Sequence, residues 1–462
     1  MSLYHDSEED KMFISKLDTI CAEQRKLDLQ KNEPFLEERL KVKKVIFDYI
    51  QKNEFVIYGG YAYHVLIMEK SKKDFIYSDL DFPDVEFYTT NLLRDIKQLC
   101  DILHKEGFKY VMAEEGVHPT TFKISVNMEN YCDVTFIPPR MLETIPTIKV
   151  EGLLFANPLW LYIDVYKVYQ YPLMNYFRLS KTYKRASLLM KYYPLYYDTL
   201  KTLSVKGIDN PFLIRSKDLL KKMSSIIFID IEAHNYYCNK ANLDLSILVS
   251  PYLVIVSTNF KEDVKEIYKI LNKEFGDLET REFYPFLDYL GRRADILSHS
   301  KGKKYNIVQI YDETDRCVPY KYDDEGYKIS TIQGTFYYAM ITRQKMLADY
   351  YSTKNEKILD KVRIKGKMLM ALIEAKKNFY KLTKTSITDP NNPFQEFVIN
   401  CEGNSVTTLR SKNLVIKERK KNNQPLRYRY EPGVKSTQLD NLRLDDFTGS
   451  EIKKGENKIL KN

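Results

Sequence analysis

The sequence lacks several features that define whole classes of protein. No window approaches the eighteen or more consecutive apolar residues of a membrane helix, and the longest apolar run, LSILVSPYLVIVS, is short and interrupted by Pro251. That run is typical of a pair of buried strands. The first residues, MSLYHDSEEDKMF, are acidic and contain no apolar core, which argues against a signal peptide. We therefore expect no contact with a membrane.

Cysteine is scarce and tryptophan occurs once. The six cysteines form no CxxC pair and have no histidine at ligand spacing: Cys21, Cys100, Cys132, Cys238, Cys317 and Cys401. This arrangement argues against structural zinc and against a disulfide framework. A reducing, intracellular compartment is the simplest setting for such a chain.

What is present is an ordinary globular composition with a basic excess. The 462 residues, 44% hydrophobic and 29% charged, have room for two or three domains. The formal net charge is +9, from 72 Lys and Arg against 63 Asp and Glu, which is compatible with a polyanionic partner or with a lysine-rich surface. The 37 tyrosines offer surfaces on which bases can stack.

The first part of the chain has helical periodicity followed by a strand, a turn and a helix. Apolar residues recur at helical spacing through residues 1 to about 50, and we expect these helices to pack behind the next domain. The segment FVIYGGYAYHVLIME then predicts a strand, a tight turn at Gly59 and Gly60, and a helix. Such a turn at a helix N-terminus can cradle phosphate oxygens.

An acidic segment follows, SDLDFPDVEFYTTN, with two pairs of carboxylates spaced two residues apart. Residues two apart in a strand point to the same face, so either pair could converge on metal ions. Proline is confined to a strand's first residue, an edge or a bulge, so Pro83 favours a strand that starts at Asp84 and places Asp84 and Glu86 on one face. Asp79 and Asp81 are the alternative ligands.

A hairpin carries a third carboxylate. TTFKISV and YCDVTFI alternate apolar and polar residues around the turn NMEN, and Asp133 lies in the middle of the second strand, where aspartate is disfavoured. A turn centred on Glu129 would place Ser125 opposite Asp133. Near this hairpin, His118 and Lys123 are each as readily explained as surface residues as by a role in the site.

The ordered set of a GG turn, a D-x-E strand and a later strand aspartate resembles the DNA polymerase beta-like nucleotidyltransferase superfamily. Within it, YGGYA, PDVEFYTTN, HPTTFKISVN, YCDVTFIPP and NYFRLSKTYKRASLLMKYYPL resemble the poly(A) polymerase catalytic subunits of large cytoplasmic DNA viruses, the poxvirus, asfarvirus and giant-virus group. The resemblance spans about residues 57 to 195. It implies metal-binding carboxylates at Asp84, Glu86 and Asp133 and a phosphate-side turn at Gly59 and Gly60.

The resemblance also implies cofactors, partners and location. Two Mg²⁺ (or Mn²⁺) ions, ATP as substrate and an RNA 3′ end as acceptor are expected, with either self-association or a viral processivity subunit. The expected location is the viral factory in the cytoplasm of the infected host cell. The virion, into which the protein could be packaged, is a second expected location. Glu86 stands where many members of the superfamily have aspartate.

A basic helix follows the carboxylates. NPLWLYIDVYKVYQYPLMNYFRLSKTYKRASLLMKYYPL predicts two helices separated near Pro172, and Arg178, Lys181 and Arg185 fall on one face of the second. Without other evidence, a basic helix face is usually exposed to solvent and binds no ligand. With the resemblance, we expect it to contact the triphosphate or the RNA, and we group Lys123 with it as a nucleotide-binding residue.

The second half predicts strand, helix and strand in an order similar to the first, without a GG turn or a convincing D-x-E strand. The fold class is therefore α/β (α+β): a nucleotidyltransferase-like mixed sheet with helices and a second, degenerate nucleotidyltransferase-like domain. We predict five segments: an N-terminal helical region (1–50), the catalytic domain (51–150), a helical region completing the cleft (151–215), the degenerate domain (216–390) and a basic flexible tail (391–462). In the tail, Arg427 and Arg429 alternate with Tyr428 and Tyr430, a pattern that could bind single-stranded RNA.

The predicted function is template-independent addition of AMP from ATP to RNA 3′ ends by two-metal phosphoryl transfer. One alternative is a nucleotidyltransferase of the same superfamily with another acceptor, such as a tRNA, a protein or a small molecule. The other is a non-catalytic RNA-binding scaffold subunit. No residue visibly reads the base, so adenine specificity comes from the resemblance.

Overall fold

The computed structural model describes residues 7–78, 81–118, 120–197, 210–243, 247–300, 302–398, 400–404 and 408–434, together with 439, 442, 444 and 447–452. Within these residues the chain forms two mixed eight-stranded sheets with helices around them. The helices are α1 (Ser7–Lys31), α2 (Leu36–Lys52), α3 (Gly59–Lys70), α4 (Leu92–Lys105), α5 (Pro139–Leu142), α6 (Pro158–Gln170), α7 (Pro172–Tyr192), α8 (Leu213–Leu220), α9 (Ile231–Lys240), α10 (Phe260–Phe275), α11 (Ile332–Thr353), α12 (Glu356–Leu382) and α13 (Thr408–Lys421).

The first sheet has the strand order β16-β3-β4-β5-β2-β1-β7-β6. Its strands are β1 (Val56–Tyr58), β2 (Val85–Thr89), β3 (Met112–Glu115), β4 (Thr121–Val126), β5 (Glu129–Phe136), β6 (Thr147–Val150), β7 (Leu153–Ala156) and β16 (Arg429–Tyr430). The central pair, β2 and β5, is parallel, whereas β1 runs antiparallel to β2 and parallel to β7. Helix α2 packs on this unit through four buried residues, Val42, Ile46, Tyr49 and Ile50.

The second sheet has the strand order β10-β11-β12-β9-β8-β14-β13-β15. Its strands are β8 (Ile226–Phe228), β9 (Leu253–Ser257), β10 (Leu278–Phe283), β11 (Arg293–Ser300), β12 (Lys303–Asp312), β13 (Val318–Tyr322), β14 (Lys328–Ser330) and β15 (Cys401–Glu402). Strands β8 to β14 repeat the order and the relative directions of β1 to β7, and α9 and α10 take the places of α3 and α4. The predicted fold class, with its second nucleotidyltransferase-like domain, is confirmed.

The two units also share a local detail at the start of one helix. At the end of β2, Thr89 accepts a hydrogen bond from the amide of Asn91 and donates one to buried Asp95 in α4. At the end of β9, Ser257 makes the same pair of bonds, to the amide of Asn259 and to Asp263 in α10. This shared polar turn sets the register between the halves, so that Thr89 corresponds to Ser257.

Several expectations are corrected. Helix α1 forms, but its apolar residues Phe13, Leu17 and Ile20 are exposed instead of packing behind the domain. Cys317 and Cys401 form a disulfide with their Cα atoms 5.2 Å apart, because the pairing of β13 with β15 brings together residues that are 84 positions apart. The run near Pro251 supplies one strand, β9, within its described residues. The segment 151–215 is not purely helical, because β7 within it extends the first sheet.

A further correction concerns the segment expected to be a flexible tail. Strand β16 pairs with strand β3, and Tyr428, which precedes β16, is buried in the hydrophobic core. Arg427 and Arg429 bind Glu114, and the Tyr430 hydroxyl donates to Asp101 at 2.6 Å. The alternating Arg and Tyr residues are therefore engaged by the protein's own first sheet. Complementary acidic residues on β3 and α4, distant in sequence, explain the difference.

Among the described residues, no helix combines the length and the apolar character that crossing a membrane requires.

Candidate active site

The three predicted carboxylates meet at the centre of the first sheet. Glu86 in β2 is the register partner of Asp133 in the parallel neighbour β5. Asp84 directly precedes β2, two residues before Glu86, so its side chain points to the same face. Parallel pairing of two central strands thus brings together acids almost fifty residues apart in the chain.

A residue that the sequence pattern missed joins two of these acids. The side-chain amide nitrogen of Asn130 donates to Asp84 Oδ2 and to Asp133 Oδ1, each at 3.2 Å. Its amide oxygen is buried and has no hydrogen-bond partner among the described residues. Three positions before Asp133, Asn130 should face the opposite side of a regular strand. An irregularity between Ile124 and Ser125 in the pairing of β4 with β5 changes that phase.

Glu86 lies against the glycine turn. Its Oε2 accepts a hydrogen bond from the amide of Gly60 at 2.6 Å, at the start of α3. Gly59 has φ +68°, and a Cβ there would stand 1.7 Å from Oε2 of Glu86, so both the backbone and the space require glycine. Burial, and then the charge of Asp84, raise the pKa of Glu86 to about 8, while the Gly60 amide opposes the shift.

Lys123 is the direct partner of Asp133. Its Nζ lies 2.9 and 2.8 Å from the two carboxylate oxygens. The sequence placed Ser125 opposite Asp133, and that register is wrong. Asn127 and Met128 both have positive φ and form a two-residue turn, and this turn together with the irregularity between Ile124 and Ser125 pairs Lys123 with Asp133.

The basic face of α7 is directed toward this cluster. A Cβ on Gly60 would lie 3.2 Å from Nη1 of Arg185, so the guanidinium stands beside the glycine turn. Burial, and next the positive charge of Arg185, lower the pKa of Lys181, and the charge of Asp84 opposes that shift. Arg178 lies over the ring of its neighbour Phe177, 5.4 Å from the ring centroid. Two of the three predicted basic side chains, Lys181 and Arg185, therefore lie close enough to the carboxylate cluster to interact with its charge.

Arg185 is held in place by a segment that the sequence did not single out, residues 71–78, which we call the strap. The Tyr77 hydroxyl accepts a hydrogen bond from Nη2 of Arg185 at 2.7 Å, and the guanidinium lies 5.1 Å from the Tyr77 ring centroid. Nδ1 of His64 in α3 accepts from the amides of Ile76 and Tyr77, both at 3.3 Å. At the other end of the strap, Asp74 binds Lys191 of α7 at 2.6 Å. The strap thus ties the glycine-turn helix to the basic helix.

The remaining candidates lie elsewhere. The Asp81 carboxylate accepts from the amide and hydroxyl of Ser78, both at 2.8 Å, and pairs with Arg25 of α1 at 2.6 Å. Asp79 lies outside the described residues. His118 is half-exposed and binds Asp288 of the second unit at 2.9 Å. Asp81 and His118 thus have other partners in this arrangement.

The donor set is suited to a hard divalent cation. Three carboxylates and the unpartnered Asn130 oxygen are the oxygen ligands that Mg²⁺ prefers. Burial and mutual repulsion of the acids, expressed in the raised pKa of Glu86, are what a bound cation would relieve. In this structure the Asp133 carboxylate binds Lys123 and the Glu86 carboxylate binds the Gly60 amide. Among the described residues, no three histidine, cysteine or carboxylate side chains are close enough together to hold a metal ion.

The second unit has no such cluster at the equivalent positions. Counting from the shared polar turn, Tyr252 and Val254 replace Asp84 and Glu86, and Gln309, the register partner of Val254, replaces Asp133. Asp230 takes the position of Gly59 and also has a positive φ, +62°. Its carboxylate is bound by Lys365, a buried residue of α12. An internal ammonium therefore neutralises the Asp230 carboxylate in this second centre.

We expect Lys365→Met to lower the free energy of unfolding by about 3–5 kcal/mol, because it leaves the Asp230 charge buried without a partner. Adding Asp230→Asn should restore most of the loss, since asparagine keeps the positive φ and removes the charge. Urea titration followed by circular dichroism measures both. A double variant as unstable as Lys365→Met would show that lysine packing, and not charge pairing, matters here.

The fold and this carboxylate centre define a nucleotidyltransferase-like enzyme. Its first unit carries the three acids, and its second unit has other residues at the equivalent positions. A family model described as "Poly(A) polymerase catalytic subunit" matches residues 44–175. A second, described as "APMV, Putative poly(A) polymerase, catalytic subunit, C-terminal", matches residues 187–460, more than half of the chain. The chain belongs to the viral poly(A) polymerase catalytic subunit family, as the sequence motifs predicted.

Individual relatives agree with this assignment. A protein of Acanthamoeba polyphaga mimivirus named "Putative poly(A) polymerase catalytic subunit" is 27% identical over 93% of this chain and 78% of its own length. An African swine fever virus protein of the same name is 25% identical over 53% of this chain and 55% of its own. The crystal structure of the Megavirus polyadenylate synthase shares the fold, with a TM-score of 0.87 and 24% identity over 98% of this chain and 94% of that one.

Proposed function

We propose that this protein adds AMP from ATP to RNA 3′ ends without a template, with its chemistry at Asp84, Glu86 and Asp133. The observation that carries the proposal is the meeting of these acids on β2 and β5 beside the Gly59–Gly60 turn. That arrangement places negative ligands next to backbone amides and to the cations of α7, as a triphosphate requires.

Divalent cations, two Mg²⁺ or Mn²⁺ in our proposal, would be held by Asp84, Glu86 and Asp133; bound there, they would lower the pKa of the RNA 3′-hydroxyl and neutralise the leaving pyrophosphate. The chain's own groups perform the rest. Arg185 and Lys181 hold the triphosphate by charge, and the Gly60 amide fixes Glu86 in position. Lys123 holds the Asp133 carboxylate in position until the substrates arrive.

The partners follow from the same proposal. RNA and ATP are the substrates, and the words "catalytic subunit" in the relatives' names lead us to propose a partner subunit or a second copy of this chain. We propose that the protein acts in the viral factory in the cytoplasm of the infected cell, and that it is also packaged in the virion. The predicted segment boundaries, 51–150 for the catalytic domain and 216–390 for the second domain, remain proposals.

Extension of a short RNA tests the activity directly. Purified protein with a labelled RNA, Mg²⁺ and each NTP in turn should lengthen the RNA, with ATP strongly preferred. Transfer to a tRNA, a protein or a small molecule without RNA extension would favour the same superfamily with another acceptor. RNA binding without binding of Mg²⁺–ATP in calorimetry would favour the scaffold alternative.

We expect Tyr77→Phe to raise the KM for ATP by about fivefold with a smaller change in kcat. Loss of the hydroxyl removes one hydrogen bond that orients Arg185, a loss of about 1 kcal/mol in triphosphate binding. Steady-state extension kinetics measure the effect. Tyr61→Phe is the matched control, because among the described residues no hydrogen-bond partner of the Tyr61 hydroxyl is found. An unchanged KM in Tyr77→Phe would contradict a positioning role for the strap.

A further inference from the structure

The first half of α7 presents large apolar side chains to solvent. Tyr176 and Phe177 are 73% and 63% exposed, and Leu173, one turn earlier, is 44% exposed. The rings of Tyr176 and Phe177 lie edge to face, 5.7 Å apart between their centroids. Among the described residues, no hydrogen bond to the Tyr176 hydroxyl is found. Exposed apolar patches of this kind mark interaction sites, so this part of α7 is a candidate for ligand binding.

The same helix is strongly basic. Its 21 residues contain no acid and five basic residues, Arg178, Lys181, Lys184, Arg185 and Lys191. Arg178 and Lys184 are exposed, and neither forms a hydrogen bond or an ion pair with any described residue. The Arg178 guanidinium instead lies over the Phe177 ring. We call Tyr176, Phe177, Arg178 and Lys184 the outer face of α7, and its free cations favour an anionic ligand.

The outer face continues into the carboxylate centre. On the neighbouring side of α7, Arg185 lies beside Gly60, and the charge of Asp84 acts on Lys181. Tyr176 and Arg185 are nine residues apart, which corresponds to about 14 Å along a helix. A chain-like ligand whose end occupies the centre therefore reaches the outer face when it follows α7.

The combination of rings and cations specifies the class of ligand. A single-stranded nucleic acid is bound by basic side chains that contact its phosphates and by aromatic side chains that stack on its bases. In a duplex the bases are stacked on one another and are not free to stack on side chains. A second copy of this chain that docked through the same face in a symmetric contact would bring two helices of five positive charges together. The outer face therefore fits a single strand better than a duplex or a second copy.

We propose that the outer face of α7 binds the single-stranded segment of the acceptor RNA just upstream of its 3′ end. The Tyr176 and Phe177 rings stack on bases, and Arg178 and Lys184 contact phosphates. Since every base offers a π-face, this contact holds the RNA regardless of its sequence. The choice of a single strand rests on the surface itself, whereas the role of that strand as the acceptor in the reaction rests on the proposed function.

Binding in the absence of ATP tests the surface separately from catalysis. Fluorescence anisotropy is measured with a labelled single strand of about 15 nucleotides, a length in the range that single-strand sites cover. The ring variant, Tyr176→Ala with Phe177→Ala, should weaken binding of oligo(A) and oligo(U) alike, by about tenfold or more, because the stacked bases lose their partners. Duplex RNA of the same length should bind with unchanged affinity. Tyr322→Ala is the control, because Tyr322, 58% exposed, is a tyrosine of similar exposure in β13 of the second unit.

The salt dependence of binding tests the phosphate contacts. The cation variant, Arg178→Ala with Lys184→Ala, should reduce the slope of log K against log salt concentration by about 0.7 for each contact removed. The ring variant should leave that slope unchanged, because its rings release no counterions. Lys273→Ala, which removes an exposed lysine of α10 in the second unit, is the control. An unchanged single-strand affinity in the ring variant, or an unchanged slope in the cation variant, overturns the proposal.

These measurements also separate the surface from the proposed function. If the unmodified protein extends no RNA while the ring variant still loses single-strand binding, the surface is supported and the proposed function fails. If extension is normal and the ring variant binds single strands as tightly as the unmodified protein, the surface fails and the proposed function remains. A lower molar mass of the ring variant in light scattering, with unchanged RNA affinity, assigns the face to a second copy and overturns the proposal. All four side chains are exposed, so neither variant leaves a buried cavity, and thermal unfolding checks that both are folded.

Discussion

Asp84→Asn and Asp133→Asn should each reduce the rate of RNA extension by about 10³-fold or more. Each removes a negative ligand from the centre that would hold the cations, whose stabilisation of the transition state amounts to several kcal/mol. Single-turnover extension of a labelled RNA with saturating ATP and Mg²⁺ measures the loss.

Although Asp84→Asn should reduce activity, it should not reduce the stability of the protein. The charge of Asp84 raises the pKa of Glu86, so its removal relieves repulsion in the cation-free protein and the melting temperature should stay the same or rise. Asp81→Asn is the control for an acid outside the cluster and should keep extension activity. Activity that survives Asp84→Asn with Glu86→Gln, but is lost in Asp79→Asn with Asp81→Asn, would move the centre to the neighbouring pair.

Gly59→Ala should lower extension activity at least 100-fold. A Cβ at residue 59 would overlap the Glu86 carboxylate, at 1.7 Å from Oε2, so Glu86 must leave its position beside the Gly60 amide. The positive φ adds about 1–2 kcal/mol of backbone strain. Extension kinetics and urea unfolding together separate the two effects.

Gly107→Ala is a matched control for that experiment. Gly107 also has a positive φ, +91°, but a Cβ there meets nothing within 4 Å. The variant should therefore lose only the stability that corresponds to the backbone strain, about 1–2 kcal/mol, while its extension activity remains near that of the unmodified protein. Equal losses of activity in both variants would mean that backbone strain, and not the displacement of Glu86, explains the effect.

The local sequence was sufficient for most of the helices and for placing Asp84 and Glu86 on the same strand face. The phase argument from Pro83 selected Asp84 and Glu86, and these two residues lie beside Asp133 in the structure, whereas Asp81 binds Ser78 and Arg25. The helical repeat also predicted that Lys181 and Arg185 share a face. Such features depend on neighbours within a few residues, where strand and helix periodicity decide which side chains point together.

Contacts between residues distant in the sequence could not be predicted from local periodicity. The position of the β4–β5 turn depends on two residues with positive φ, and this turn and the irregularity between Ile124 and Ser125 together make Lys123, instead of Ser125, the partner of Asp133. The bond from Arg185 to Tyr77 joins residues 108 positions apart. No periodicity encodes such a pair, because it depends on how a loop and a helix pack on the same sheet.

The sequence by itself therefore determined that Asp84 and Glu86 share a strand face, that Gly59 and Gly60 form a turn, and that the chain has two similar halves. Only the tertiary structure decided that Asn130 bridges two acids, that the C-terminal segment pairs with β3, and that Lys365 occupies the second centre. The physical reason is that strand pairing and side-chain packing are settled by the burial of whole surfaces. A short stretch of sequence contains only one side of each such contact.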